Sequence, residues 1–416
     1  HIPKVGDLAL TGLGVCFPVI LFVSAISALV GMGGASRAVV RMGEDRMDQA
    51  NAILGSCTTL LVLLGALVTV IFLIVQEPML YLFGATENTI DYARDYLTIY
   101  LYGSIFVEIS MGLNYFITAQ GFSTMGMATV LIGAVINIVL DPVFIFGCNM
   151  GVQGAALATI TAQGVSALWV VWFLLGRRTK LRLGWSTLRL QWRVLVPVLA
   201  LGASPFIMQA TESLINIAFN ASLKAYGGDP AVGAMTICSS VMQVFSLLFQ
   251  GLSQGAQPII GYNYGSGALD RVRHTFRLLF ISSVIFSCSV FAALEIFPGL
   301  FVSLFNDKPE LVEIGAWALR IYAAGIFMLG VQFSCQQTFV ALGQAKISLF
   351  LALLRKVILL LPLILLLPLL FSDKVFGVFV AEPAADVLAA TTTGLMFLWN
   401  FPRILRRRER ELAEGG

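Results

Sequence analysis

Asn137 and Asp141 stand one helical turn apart, so a helix places the amide and the carboxylate on one face. Pro142, beside the acid, removes a backbone donor and loosens the helix there, freeing carbonyl oxygens near the carboxylate. Carboxylate, amide oxygen and freed carbonyls form an oxygen ligand set suited to Na⁺, or surround a protonatable group. The plainer alternative is an Asp-Pro kink capping a helix near the outer surface.

Further polar groups stand in equally apolar surroundings. Glu212 has Gln209 and Asn216 on neighbouring turns, and Glu108 shares its segment with Asn114 and Gln120. Arg355 and Lys356 are adjacent, while Glu382 and Asp386 are spaced at i and i+4. A charge at mid-membrane costs roughly 2.5–3.5 kcal/mol on insertion scales, so each of these groups needs a partner or a task. The two bases are expected to pair with Glu382 and Asp386 in a structural clamp, a proton relay linked to Glu212 being the sharper rival. For Glu212 the plain alternative is a salt bridge to a basic neighbour. Glu108, Asn114, Gln209, Asn216 and Gln336 are expected along a substrate cavity.

The elements that must hold these residues are membrane helices. Of 416 residues, 58% are hydrophobic and 12% charged, against about 25% charged in a soluble domain. Several runs exceed the about 20 residues that cross a bilayer as a helix, and residues 50–75 carry no charge. The apolar runs lack the strict alternation of barrel strands, and helices satisfy every backbone amide internally. Eleven spans are expected, at roughly 9–36, 49–75, 93–120, 123–147, 152–176, 194–223, 230–260, 274–298, 312–342, 346–371 and 375–401.

Charge asymmetry orients them. Eighteen of the 26 basic residues fall on alternate connections and the carboxyl-terminal tail, among them Arg177 to Arg193 and Arg403 to Arg410. Those connections are expected in the cytoplasm; Lys4, Arg94, Lys224, Lys308, Arg320 and Lys374 lie on the other side. The net charge of +3 therefore reports orientation and not a nucleic-acid partner. Six scattered cysteines without a CxxC pair read as small helix residues, and the two histidines, His1 and His274, lie at the terminus and in a basic loop. Neither a metal centre nor a hydrolase follows, and no cofactor is expected.

The halves repeat at one shift. Gly6-Asp7-x-Ala9 recurs as Gly228-Asp229-x-Ala231, which is 222 residues on. At the same shift Leu97-x-Ile99-Tyr100-x-x-Gly103 meets Leu319-x-Ile321-Tyr322-x-x-Gly325, and Ala119-x-Gly121 meets Ala341-x-Gly343. Six spans per repeat give two halves running in the same direction. The span at 194–223 then lacks an upstream partner, so a helix preceding His1 is expected, making six plus six. The expected fold is an all-α polytopic membrane protein of two pseudo-symmetric six-helix bundles, divided into lobes at 1–189 and 190–416.

Gly33-Gly34-Ala35-Ser36-Arg37, Ala119-Gln120-Gly121, Asn137-x-x-Leu140-Asp141-Pro142 and Gly151-x-x-Gly154-Ala155-Ala156 resemble the multidrug and toxic compound extrusion (MATE) family, in its bacterial MepA-like branch. The resemblance implies antiport of organic, often cationic, compounds against H⁺ or Na⁺ by alternating access, in a bacterial inner membrane, by a monomer that meets small molecules and lipid. It also implies an N-lobe cation site at Asn137, Asp141 and Thr159, and a coupling Glu at Glu212. The second C-lobe acid of some members has no counterpart here, since residues 316–342 hold Arg320, Gln332, Gln336 and Gln337 but no acid. A lipid-linked precursor flippase of the same broader superfamily is the alternative, but it needs several cavity cations. An intramembrane enzyme needs a nucleophile or metal constellation.

Overall fold

The computed structural model describes residues 6–305 and 309–414; Lys4 and Lys308 lie outside the described residues. Among these, every regular element is helical. The helices are α1 (Gly6–Gly43), α2 (Met47–Leu82), α3 (Ile90–Tyr102), α4 (Ser104–Ala119), α5 (Ser123–Pro142) and α6 (Gly151–Leu175) in the first half. There follow α7 (Trp192–Gly265), α8 (Leu269–Ile296), α9 (Pro298–Ser303), α10 (Pro309–Ala323), α11 (Leu329–Ala341), α12 (Ala345–Leu353), α13 (Leu361–Leu370) and α14 (Lys374–Glu414).

The 222-residue shift is visible in the element ends. Helices stop at Gly43 and Gly265 and at Ala119 and Ala341; they start at Met47 and Leu269 and at Ser123 and Ala345. Gly121 and Gly343, the repeated turn glycines, take φ of 90° and 73°. That left-handed region is open to glycine at no steric cost, which accounts for the motif.

Nine helices are long and apolar enough to cross a membrane among the described residues, or up to ten counting the bent α3–α4 pair as one. The 74-residue α7 covers the two spans expected at 194–223 and 230–260, and it is interrupted at Gly228, whose φ is 66°. The span expected at 93–120 is bent by 55° between α3 and α4. Gly103 sits at that bend, where any Cβ would collide with the side chain of Ile160. The bend frees carbonyls, and the Thr69 hydroxyl donates to that of Leu101 at 2.7 Å. At the equivalent break, around Gly325, Ser287 Oγ donates to the Phe327 carbonyl at 2.9 Å.

The chain forms two compact units, His1–Ala210 and Thr211–Gly416. In the first, Leu54, Leu61, Leu113, Phe116 and Val170 are fully buried in one core, and Val23, Leu80, Leu97 and Leu101 in another. In the second, Phe219, Leu294, Leu319, Ile364 and Phe379 fill the main core. Around both runs a coat of exposed Leu, Ile and Val, such as Leu67, Ile74, Ile138, Leu248 and Leu398. Such a coat suits hydrocarbon as its solvent and is larger than a soluble surface tolerates.

Candidate functional site

In the first unit, Pro142 ends α5 and residues Val143–Gly147 continue as a π-helical turn. The missing proline donor explains the irregularity. Asn137 Nδ2 lies 3.4 Å from Asp141 Oδ1 and 3.4 Å from Thr159 Oγ1, so one amide joins α5 to α6. The Thr159 hydroxyl itself donates to the Ala155 carbonyl at 3.0 Å. All three residues are partly buried. Sequence reasoning missed Tyr96 of α3, which lies beside Thr159. The spacing of Tyr96 and Tyr100, one helical turn apart, was the available signal, and the two rings stack.

Glu108 is fully buried on α4, where its Oε2 accepts a hydrogen bond from the Ser27 hydroxyl at 3.0 Å. Its Oε1 has no hydrogen-bond partner, and Glu108 forms no ion pair among the described residues. It lies inside the helix packing and does not line open space. Asn114 donates to the Gly126 carbonyl at 3.2 Å, tying α4 to α5. Gln120 is also structural: its Oε1 accepts from Thr179 Oγ1 and from the amides of Lys180 and Leu181, each at 2.8 Å.

The second unit assembles the charge network. A π-helical stretch, Leu354–Leu360, carries Arg355 and Lys356 between α12 and α13. Its wide turn narrows the angle between consecutive side chains, so both bases enter the protein. Arg355 Nε donates to Asp386 Oδ1 at 2.8 Å, a terminal guanidinium nitrogen lies 2.7 Å from the same oxygen, and Glu382 Oε1 is 3.7 Å away. Gly325 permits this approach, since a Cβ there would sit 2.8 Å from Pro383 Cα and 3.0 Å from Asp386 Cβ.

Lys356 departs from the expected clamp. Its Nζ pairs with Glu212 Oε2 at 2.9 Å, not with Glu382 or Asp386. The network therefore holds three acids, Glu212, Glu382 and Asp386, against two bases, and Glu382 Oε2 is buried with no partner. Gln209 and Asn216 are partly buried on α7. Gln336 is 2% exposed and accepts from Gln332 Nε2 at 2.9 Å, while Gln332 Oε1 accepts from Thr393 at 2.7 Å. Gln332 thus ties α11 to α14, and both it and Gln336 are buried. Among the described residues no three His, Cys, Asp or Glu side chains cluster as metal ligands.

The sequence model of the MatE family matches residues 2–143 and 205–366. The multidrug export protein MepA of Staphylococcus haemolyticus is 23% identical over 382 residues, 91% of this chain and 84% of that protein. An FAD transporter of Shewanella oneidensis is 26% identical over 394 residues, 93% and 86% of the respective chains. The solved structure of the MATE multidrug transporter DinF-BH, in complex with R6G, aligns with a TM-score of 0.89 at 36% identity, over 96% of this chain and 89% of that one. A MATE structure in a bent conformation aligns with a TM-score of 0.92 at 20% identity, covering 98% and 91%. With the family model matched in both halves of the repeat, the chain belongs to the MATE family of multi-pass membrane transporters.

Proposed function

We propose that this transporter is a secondary active antiporter that exports organic, often cationic, compounds in exchange for H⁺ or Na⁺ by alternating access. The observation that carries the reading is the uneven charge of the second-unit network. Three carboxylates face two bases, and two of those acids and both bases are buried. One proton neutralises the surplus, and an unpartnered acid oxygen is available to receive it.

Asn137, Asp141 and Thr159 supply a second coupling site. With the Asn137 amide turned about its axis, carboxylate, amide and hydroxyl present oxygen to a small cation. Coupling follows if cation and substrate favour different arrangements of the helices. Multidrug export and R6G binding, named for relatives, suggest bulky organic cations as cargo. A flippase reading needs free cavity cations, whereas Arg355 and Lys356 are both engaged by acids. The basic tail at Arg403 to Arg410 supports a cytoplasmic carboxyl terminus in a bacterial inner membrane.

The test is efflux of R6G from proteoliposomes holding the chain, under a pH gradient alone and a Na⁺ gradient alone. Either gradient driving efflux supports the proposal. Dye movement indifferent to both gradients rejects it.

A further inference from the structure

One side of the second unit carries a groove of about 780 Å³ between the end of α8, α10 and the first half of α14. That size lies within the range of small-molecule sites. Its wall is apolar along Val380, Pro383, Val387 and Leu388, and its two charged lining residues are Glu295 and Arg320.

These two charges share the groove yet do not pair. Arg320 Nε donates to the Glu295 backbone carbonyl at 3.2 Å, and neither side chain forms an ion pair among the described residues. Arg320 is exposed on α10, within a segment apolar enough to cross the membrane. An unpaired guanidinium and an unpaired carboxylate in apolar surroundings are both costly. So close together, they would be expected to close on each other unless each has another partner.

We propose that this groove binds a zwitterionic phospholipid with a primary ammonium headgroup, phosphatidylethanolamine. The free guanidinium nitrogens of Arg320 take the phosphate, the geometry in which arginine exceeds a point charge. The Glu295 carboxylate takes the ammonium, whose N–H donors a choline headgroup lacks. One acyl chain lies along Val380, Val387 and Leu388. The groove sets a cation and an anion beside an apolar wall, the three chemistries that this lipid's phosphate, ammonium and acyl chain require. The leaflet is the one opposite the arginine-rich end of α14.

Native mass spectrometry of the whole chain in detergent, titrated separately with phosphatidylethanolamine, phosphatidylcholine and phosphatidylglycerol, tests this without reference to transport. The wild type should hold one phosphatidylethanolamine about tenfold more tightly than either other lipid, as one charge-assisted contact allows. Arg320→Gln should lose that binding about tenfold, with Arg320→Lys retaining part of it as a check on folding. Glu295→Gln should abolish the preference over phosphatidylcholine while leaving phosphate binding. Equal binding of all three lipids by the wild type, a preference for phosphatidylglycerol, or an unchanged Arg320→Gln variant would each overturn the proposal.

Discussion

Lys356 Nζ rests 2.9 Å from Glu212 Oε2, joining residues 144 positions apart. The lysine side chain is 8% exposed and the glutamate 47%, so one partner is held by protein and the other reaches outward. Any cation that binds Glu212, whether proton or cargo, competes directly with Lys356. The second base, Arg355, stands between two buried acids instead.

That contrast ranks two variants. Arg355→Met leaves Asp386 and Glu382 buried without a cation and should cost about 3–5 kcal/mol. Lys356→Met strands one acid, the half-exposed Glu212, instead of two buried ones and should cost less. Thermal unfolding of the detergent-purified proteins checks the order: Arg355→Met should melt well below Lys356→Met.

Glu382→Gln removes the surplus negative charge and supplies an amide donor near the buried acids. We expect its melting temperature to stay near wild type, within about 1 kcal/mol, while Asp386→Asn, which weakens the tight contact to Arg355, falls by about 1.5–3 kcal/mol. Proton-driven efflux should nevertheless fall in Glu382→Gln. Melting curves together with dye efflux separate the two effects.

Glu108 offers a different comparison. A buried carboxyl with one hydroxyl donor and no ion pair behaves as a neutral group, so Glu108→Gln should fold with little loss. Glu108→Ala opens a void beside Gly65 and Ser27 and should cost about 2–4 kcal/mol. Should Glu108→Gln melt as low as Glu108→Ala, the neutral reading is wrong.

Much of the scaffold was legible in the sequence because the repeat fixes it. Apolar length marked the spans, and Gly121 and Gly343 marked matching turns whose positive φ needs glycine. The acids and bases were legible by type, since charge in an apolar run needs a reason. Their partners were not. Lys356 reaches Glu212 because the π turn at 354–360 resets the direction of its side chain, and no α-helical spacing predicts that. Asn114 and Gln336 looked like cavity groups, yet one donates to the Gly126 carbonyl and the other accepts from an amide of its own helix. A polar side chain has the same sequence signature whether it faces cargo or closes a packing contact.

Helix contacts in the first unit depend on absent side chains. A Cβ on Gly202 would strike the Leu29 carbonyl, and one on Gly33 would strike that of Val198. Gly202→Ala should therefore destabilise by about 2 kcal/mol through overpacking. Gly14, also helical, has nothing within 4 Å, and Gly14→Ala should gain about 0.5–1 kcal/mol. Opposite shifts in melting temperature are the expected result.

The most direct measurement is R6G efflux from proteoliposomes by Asp141→Asn, Glu212→Gln and the double variant, under whichever cation gradient drives the wild type. Asp141 and Glu212 as the coupling groups predict that each single variant loses most gradient-driven efflux and the double variant all of it, with melting temperatures near wild type. Undiminished gradient-driven efflux by the double variant would contradict coupling through these carboxylates.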